Sequence, residues 1–213
     1  MKRDALIDIV SQEPLFTTGM LLTPGVDAQD VRKQLSRWTR DGTVLQLRRG
    51  LYSLGARHRL REPHPNEVSN ALVGGSYVSL ETVLVGHGLI PEAVFSTTAV
   101  TTGRQGSRQT PFGCFVYQHI RPQLFWGYKS EPIGEGRSAF VATPEKALLD
   151  LAYLRTRSDE VAFARELRLQ RLETIDAARL LRFAERFGSK KVLRFAHNVI
   201  ALREAEREEY RSE

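Results

Sequence analysis

Cysteine is nearly missing from this chain: its 213 residues hold one, Cys114. A single thiol excludes an internal disulfide, so the chain is expected in a reducing, cytoplasmic compartment. Cys114 lies in an apolar run and reads as a buried, inert thiol. Long hydrophobic runs are missing too. No window approaches the roughly 18 apolar residues of a membrane span, so none is expected. The start, MKRDALIDIV, has Asp4 and Asp8 inside a short apolar run, which is not a signal-peptide pattern. Internal repeats and low-complexity tracts are also absent.

Catalytic and metal-binding signatures are as scarce. There is no GxGxxG, no Walker A motif, no HExxH and no CxxC pair. His58, His64, His87, His119 and His197 are scattered without ligand spacing. His87 precedes Gly88 at an expected helix end, where the dipole favours a histidine. His119 alternates with Tyr117 and reads as a half-buried sheet residue. Glu145, Lys146 and Asp150 form the one carboxylate–lysine group that invites a nuclease hypothesis. A metal nuclease needs acids converging on Mg²⁺ from more than one element. Here both acids fall on one expected helix, so helix-start electrostatics is the preferred reading. No catalytic residue, metal site or cofactor is expected, and the chain is not read as an enzyme.

What is present is positive charge, unevenly placed. The net charge is +6, and residues 1–61 account for +5 of it, with 11 basic and 6 acidic side chains. A localised basic patch is the electrostatic footprint of nucleic-acid binding. The segment 27–54, DAQDVRKQLSRWTRDGTVLQLRRGLYSL, shows how the charge is used. Asp27 is a good N-cap. Ala28, Val31, Leu35 and Trp38 recur at helical spacing and form an apolar stripe. Gln29, Lys33, Ser36 and Arg40 form a second stripe half a turn away, flanked by Arg32 and Arg37, with no acid on it. Gly42 ends the helix. Val44–Leu47 and Leu51–Leu54 then read as a hairpin turning at Arg49-Gly50, with Arg48 and Arg49 at its tip. A cationic helix followed by an arginine-tipped hairpin suits a winged helix-turn-helix, with the helix in the major groove and the wing on the backbone. The same helix seen alone is also an ordinary solvated face.

Around this segment, a first helix is expected over Lys2–Ser11 and a short second one over Gly19–Leu22. Gly55–Pro65 reads as a linker whose Arg57, Arg59 and Arg61 extend the footprint or are simply solvated. Helices follow at Asn66–Val73 and Ser79–His87, then strands at Val94–Thr102, Phe112–Ile120, Leu124–Tyr128 and Ser138–Ala142. A polar loop, Gly103–Gln109, carries Arg104 and Arg108. Thr143 caps a helix with Pro144 at its first position. Helices at Asp159–Leu169, Thr174–Phe187 and from Ser189 complete the chain, ending in a solvated tail. The expected fold class is α+β: a winged helix-turn-helix domain (1–56), a linker (57–65), and a mixed domain (66–213) with a small sheet and a helical C-terminal portion. The row Arg165, Arg168, Arg171, Arg179, Arg182, Arg186, Lys190, Lys191 and Arg194 spans the last helices. It lines one face for nucleic acid or an acidic partner, or it is a salt-bridged surface, since acids are interspersed.

Three motifs, in order, resemble the AbiEi-type antitoxins, a family of winged-helix regulators. They are QLSRWTRDGTVLQLRRGLYSLG, YVSLETVLVGHGLI and FVATPEKALLDLAYL. The first is similar to the end of that family's winged helix, and the other two to helices of its central domain. The resemblance implies a DNA-binding antitoxin that represses its own operon and opposes a nucleotidyltransferase-like toxin. By position it makes Gln29, Lys33, Ser36, Arg37 and Arg40 the DNA readers, with Arg48 and Arg49 on the wing and Arg32 beside them. Arg104, Arg108, Arg179, Arg182, Arg186, Lys190 and Lys191 are candidates for additional nucleic-acid or toxin contact. The competing readings are a stand-alone winged-helix transcription factor, whose second domain senses a ligand or dimerises, and a metal-dependent nuclease.

Overall fold

The computed structural model describes residues 3–22, 24–91 and 95–212. Two compact units are present: Met1–Gly74 with Gln109–Gly113, and Gly75–Arg108 with Cys114–Glu213.

The first unit begins with α1 (Arg3–Val10), which buries Leu6 and Val10. Strand β1 (Phe16–Thr17) follows, then a 3-10 turn over Thr18–Leu21. The sequence suggests a short helix here; Gly19 and Pro24-Gly25 leave room for a single tight turn. Helix α2 (Ala28–Arg40), β2 (Val44–Arg48) and β3 (Leu51–Leu54) occupy the expected places. The three strands form one antiparallel sheet in the order β1-β3-β2, pairing Phe16 with Tyr52 and Val44 with Leu54. A two-residue strand is invisible to periodicity, yet its Phe16 ring stacks on Tyr52 at 5.8 Å. Leu6, Val10, Phe16, Leu21, Val31, Leu35, Trp38, Val44, Tyr52 and Leu54 form one buried cluster. This helix–turn–helix and sheet is the winged-helix pattern. Gly55 closes it: a Cβ there would lie 2.3 Å from the Gly42 carbonyl oxygen, a clash only glycine avoids.

Residues 57–65 make fixed contacts within this unit. Arg59 donates to the Leu54 carbonyl at 2.9 Å and lies 4.9 Å over the Phe112 ring. Helix α3 (Pro65–Leu72) follows, capped by His64, whose Nδ1 accepts from the Asn66 N–H. Sequence patterning starts the second domain at residue 66. The compact units instead divide at Gly74, because α3 is tied to the wing by Arg48, which donates twice to the Ala71 carbonyl.

A six-stranded sheet, β6-β7-β5-β4-β9-β8, lies in the second unit apart from the end of β6 and the first residue of β7. Its strands are β4 (Ser76–Val78), β5 (Ser96–Thr101), β6 (Gly106–Thr110), β7 (Gly113–His119), β8 (Tyr128–Gly134) and β9 (Arg137–Ala142). β4 pairs antiparallel with β5 and parallel with β9, and β5 pairs parallel with β7. The sheet is larger than expected. β4 is only three residues long and follows Gly74-Gly75. β6 falls where the sequence suggests a loop, because GSRQT has no apolar alternation; it is an edge strand exposed over most of its length. The strand expected at Leu124–Tyr128 starts instead at Tyr128, with a 3-10 turn over Pro122–Leu124 before it. β8 accommodates Pro132 because it is the opposite edge, where a missing N–H is tolerated.

Helices α4 (Glu81–Gly86), α5 (Pro144–Leu154), α6 (Val161–Glu166), α7 (Ala177–Phe187) and α8 (Lys190–Ser212) complete the unit. Thr143 caps α5 as expected, accepting from the Lys146 N–H at 3.3 Å. His87 is the C-cap of α4. Cys114 is half-buried on β7 rather than fully enclosed. His119 is exposed rather than half-buried, with Nδ1 2.9 Å from the Gly103 carbonyl oxygen. No described helix is long and apolar enough to cross a membrane. The expected helix start at Lys2, strand start at Val94 and last residue of the tail lie outside the described residues.

Candidate nucleic-acid interface

Helix α2 is built to present one face. Asp27 Oδ1 accepts the Gln29 N–H at 2.7 Å, fixing the start. Asp41 closes the end by accepting the Thr43 N–H at 3.0 Å. Hydrogen bonding from Thr43 holds the Asp41 carboxyl below its ordinary pKa. Val31, Leu35 and Trp38 are buried, and Ala28 is only partly covered. Gln29, Arg32, Lys33, Ser36, Arg37 and Arg40 are all exposed, so the six candidate readers of this helix share its outer surface. One acid joins them: Asp30 lies 3.6 Å from the Lys33 ammonium. It occupies the first turn, where the helix dipole favours a carboxylate, and it tempers the charge at that end.

The wing places Arg48 and Arg49 at its tip, both exposed. Gly50 supplies the left-handed residue of the turn, with φ 81°. The two arginines differ in freedom. Arg48 Nε and Nη2 donate to the Ala71 carbonyl at 3.2 and 3.1 Å, and Nη1 donates to the Arg49 carbonyl at 3.2 Å. Its guanidinium is therefore oriented by the end of α3. Arg59, a candidate extension of this footprint, has its side chain only 8% exposed and salt-bridged to Glu62. It is a packing residue.

In the second unit the structure disperses the C-terminal basic row. Arg179 lies 3.6 Å from Glu145 and 3.7 Å from Asp176. The Arg186 guanidinium sits 4.2 Å over the Trp126 ring. Lys191 donates to the Tyr153 and Arg155 carbonyls at 2.8 and 2.7 Å. Arg194 pairs with Asp159. Arg182 and Lys190 remain exposed, as do Arg104 and Arg108 around β6.

The carboxylate–lysine group of α5 is not at the surface. Lys146 and Asp150 are both 0% exposed and joined by a salt bridge. Tyr77 and Ser79 each donate to Asp150 Oδ2 at 2.9 Å, and the Lys146 ammonium donates to the Tyr77 hydroxyl at 2.8 Å. Burial lowers the Lys146 pKa and raises those of Asp150 and Tyr77; the attraction within the pair opposes the first two shifts. Lys146 and Asp150 thus form an internal network rather than helix-start electrostatics, while Glu145 does lie in the first turn of α5 and accepts the Asp176 N–H at 3.2 Å. Sequence reading misses Tyr77 and Ser79 as partners in the network, because 69 to 73 residues separate them from α5. Among the described residues, no three His, Cys, Asp or Glu side chains are grouped to hold a metal ion.

No curated protein matches the chain. The two motifs around residues 77–90 and 140–154 fall outside the family match, which covers the helix and wing described above. Residues 4–55, the N-terminal winged-helix segment, match the family described as "Transcriptional regulator, AbiEi antitoxin".

Proposed function

We propose that the chain is a DNA-binding antitoxin that represses its own operon in the cytoplasm and opposes a nucleotidyltransferase-like toxin. The observation that carries the reading is the outer face of α2, six exposed polar and cationic side chains on a segment that matches a regulator family. Duplex DNA at the protein's own promoter is the first partner. Gln29 and Ser36 hydrogen-bond base edges, while Arg32, Lys33, Arg37 and Arg40 meet bases or phosphates. Arg49 reaches the backbone from the wing, and Arg48 contributes charge from a fixed position. Arg104 and Arg108, exposed on the second unit, are candidates for separate nucleic-acid or toxin contact. The toxin is the second partner, and the exposed Arg182 and Lys190 supply charge for contact with it.

The test is a gel-shift series with the full chain on its own promoter DNA and on random duplex, across salt concentration. Arg40→Ala with Arg49→Ala should weaken binding to both DNAs and reduce the salt slope by about 0.9 for each phosphate no longer neutralised. Gln29→Ala or Ser36→Ala should reduce promoter preference by roughly 5- to 150-fold, equivalent to about 1–3 kcal/mol for each base edge left unread. Equal affinity for promoter and random DNA in the unmodified protein would overturn the repressor reading. Co-expression with the product of the adjacent gene, scored by colony formation, tests the antitoxin reading. Failure to rescue growth would remove it.

A further inference from the structure

A cleft of about 690 Å³ opens in the second unit between the turn after α6 and the outer half of α8. A smaller hollow of about 270 Å³ adjoins it, sharing Leu169 and Glu206. Together they bring five arginines to one place: Arg165, Arg168 and Arg171 from the α6 side, Arg203 and Arg207 from α8. Two acids, Glu173 and Glu206, line the same space. The floor is apolar, made by Leu169, Leu172 and Leu202. Mainly positive charge therefore surrounds an apolar base in a cavity of ligand size.

The walls are fixed rather than loose. Arg203 Nε donates to the Leu172 carbonyl at 3.2 Å and ties α8 to the turn. Arg171 extends toward the end of α4, with Nη1 3.5 Å from the His87 carbonyl oxygen. Arg168 and Arg171 both hold left-handed backbone, φ 49° and 52°, a conformation that costs a non-glycine residue energy and recurs at ligand sites. Arg165, Arg168 and Arg207 are exposed, at the rim of the cleft.

We propose that this cleft binds a nucleoside polyphosphate. Arg165, Arg168 and Arg207, at the rim, take the phosphates through forked, charge-assisted hydrogen bonds, while Arg171 and Arg203 hold the walls and add charge. The leucine floor receives the base and sugar, whose faces are apolar. Glu173 and Glu206 accept hydrogen bonds from ribose hydroxyls or base N–H groups, which an inorganic anion does not offer. The inference concerns the second unit alone and does not depend on promoter binding.

The experiment is isothermal titration of the full chain with GTP and with ATP, beside tripolyphosphate and a single-stranded DNA oligonucleotide. At least one nucleotide should bind more tightly than tripolyphosphate. Arg168→Ala with Arg207→Ala should weaken that binding by at least about tenfold, since each removes a charge-assisted hydrogen bond. Glu173→Gln should narrow the gap between nucleotide and tripolyphosphate. Arg121→Ala, at an exposed arginine outside the cleft, should bind as the unmodified chain does. Thermal melts without ligand establish that the variants are folded. No heat from either nucleotide at millimolar concentration overturns the site. Tripolyphosphate binding as tightly as the nucleotides overturns the nucleoside assignment, and tighter binding of the oligonucleotide that Arg168→Ala with Arg207→Ala also weakens overturns a free nucleotide as the ligand.

Discussion

The two units handle charge in opposite ways. The first keeps the cations of α2 outside, over a cluster of apolar and aromatic side chains running from Leu6 to Leu54. The second draws Lys146 and Asp150 completely inside and satisfies them with Tyr77 and Ser79. It also engages Arg179, Arg186, Lys191 and Arg194 with neighbouring carboxylates, carbonyls or a ring. An exposed cation keeps its charge available to a partner. A cation already hydrogen-bonded must give up that bond first. The comparison teaches that counting arginines overstates a binding face wherever the fold has used them, and that the 1–61 excess is the more informative because α2 leaves it outward.

The largest effect should come from breaking the internal pair. Asp150→Ala leaves the Lys146 ammonium buried without its partner, and a loss of about 3–5 kcal/mol is expected. Replacing both, Lys146→Met with Asp150→Leu, should recover much of that loss, because no charge then remains to desolvate. Denaturant melts followed by Trp126 fluorescence, in a Trp38→Phe background, would show it. A double replacement as damaging as the single one would mean that the network supports the unit through something other than charge balance.

Trp38→Ala tests the other side of the comparison. Trp38 is 3% exposed, and a large-to-small change there should cost about 3–5 kcal/mol, at the lower end if the site collapses. Peptide-level hydrogen exchange should accelerate across residues 28–54. An unchanged exchange pattern would contradict the orientation of α2 and, with it, the proposed set of DNA readers.

The smallest effect concerns pH. Three carboxylates near the surface are held below their ordinary pKa: Asp41 by hydrogen bonding from Thr43, Asp159 by Arg194, and Asp176 by the Arg179 backbone N–H. In each case the unfolded chain takes up a proton at higher pH than the native one. Their stabilisation is therefore complete above about pH 4 and is lost as pH falls through the native pKa values. Asp176→Asn should flatten the acid limb of the stability curve by lowering the neutral plateau toward the acid value. An unaltered acid limb would show that the cap hydrogen bond does not favour the ionised form.

The first unit is readable because its signals are local. Asp27, the stripe Val31–Leu35–Trp38 and the Arg49-Gly50 turn all act within a few residues, and α2, β2 and β3 lie where they point. β1 escapes because its existence depends on β3, some 35 residues further on. β6 escapes for a related reason: its backbone pairs, but its polar side chains bury no face that would print a period on the sequence. The Arg48 anchor on Ala71 and the cleft joining Arg168 to Arg207 depend on separations of 23 and 39 residues, beyond any spacing rule.

The sequence by itself determined the charge imbalance, the helix and wing of the first segment, the cap and course of α5, and the motifs that resemble AbiEi-type antitoxins. These follow from periodicity, capping and turn chemistry, which are properties of neighbouring residues. Only the tertiary structure decided which cations are free, which carboxylates are sealed in, and which distant arginines share a cleft. Solvation and pairing depend on what lies within a few ångströms in space, and the chain reaches those neighbours only by folding.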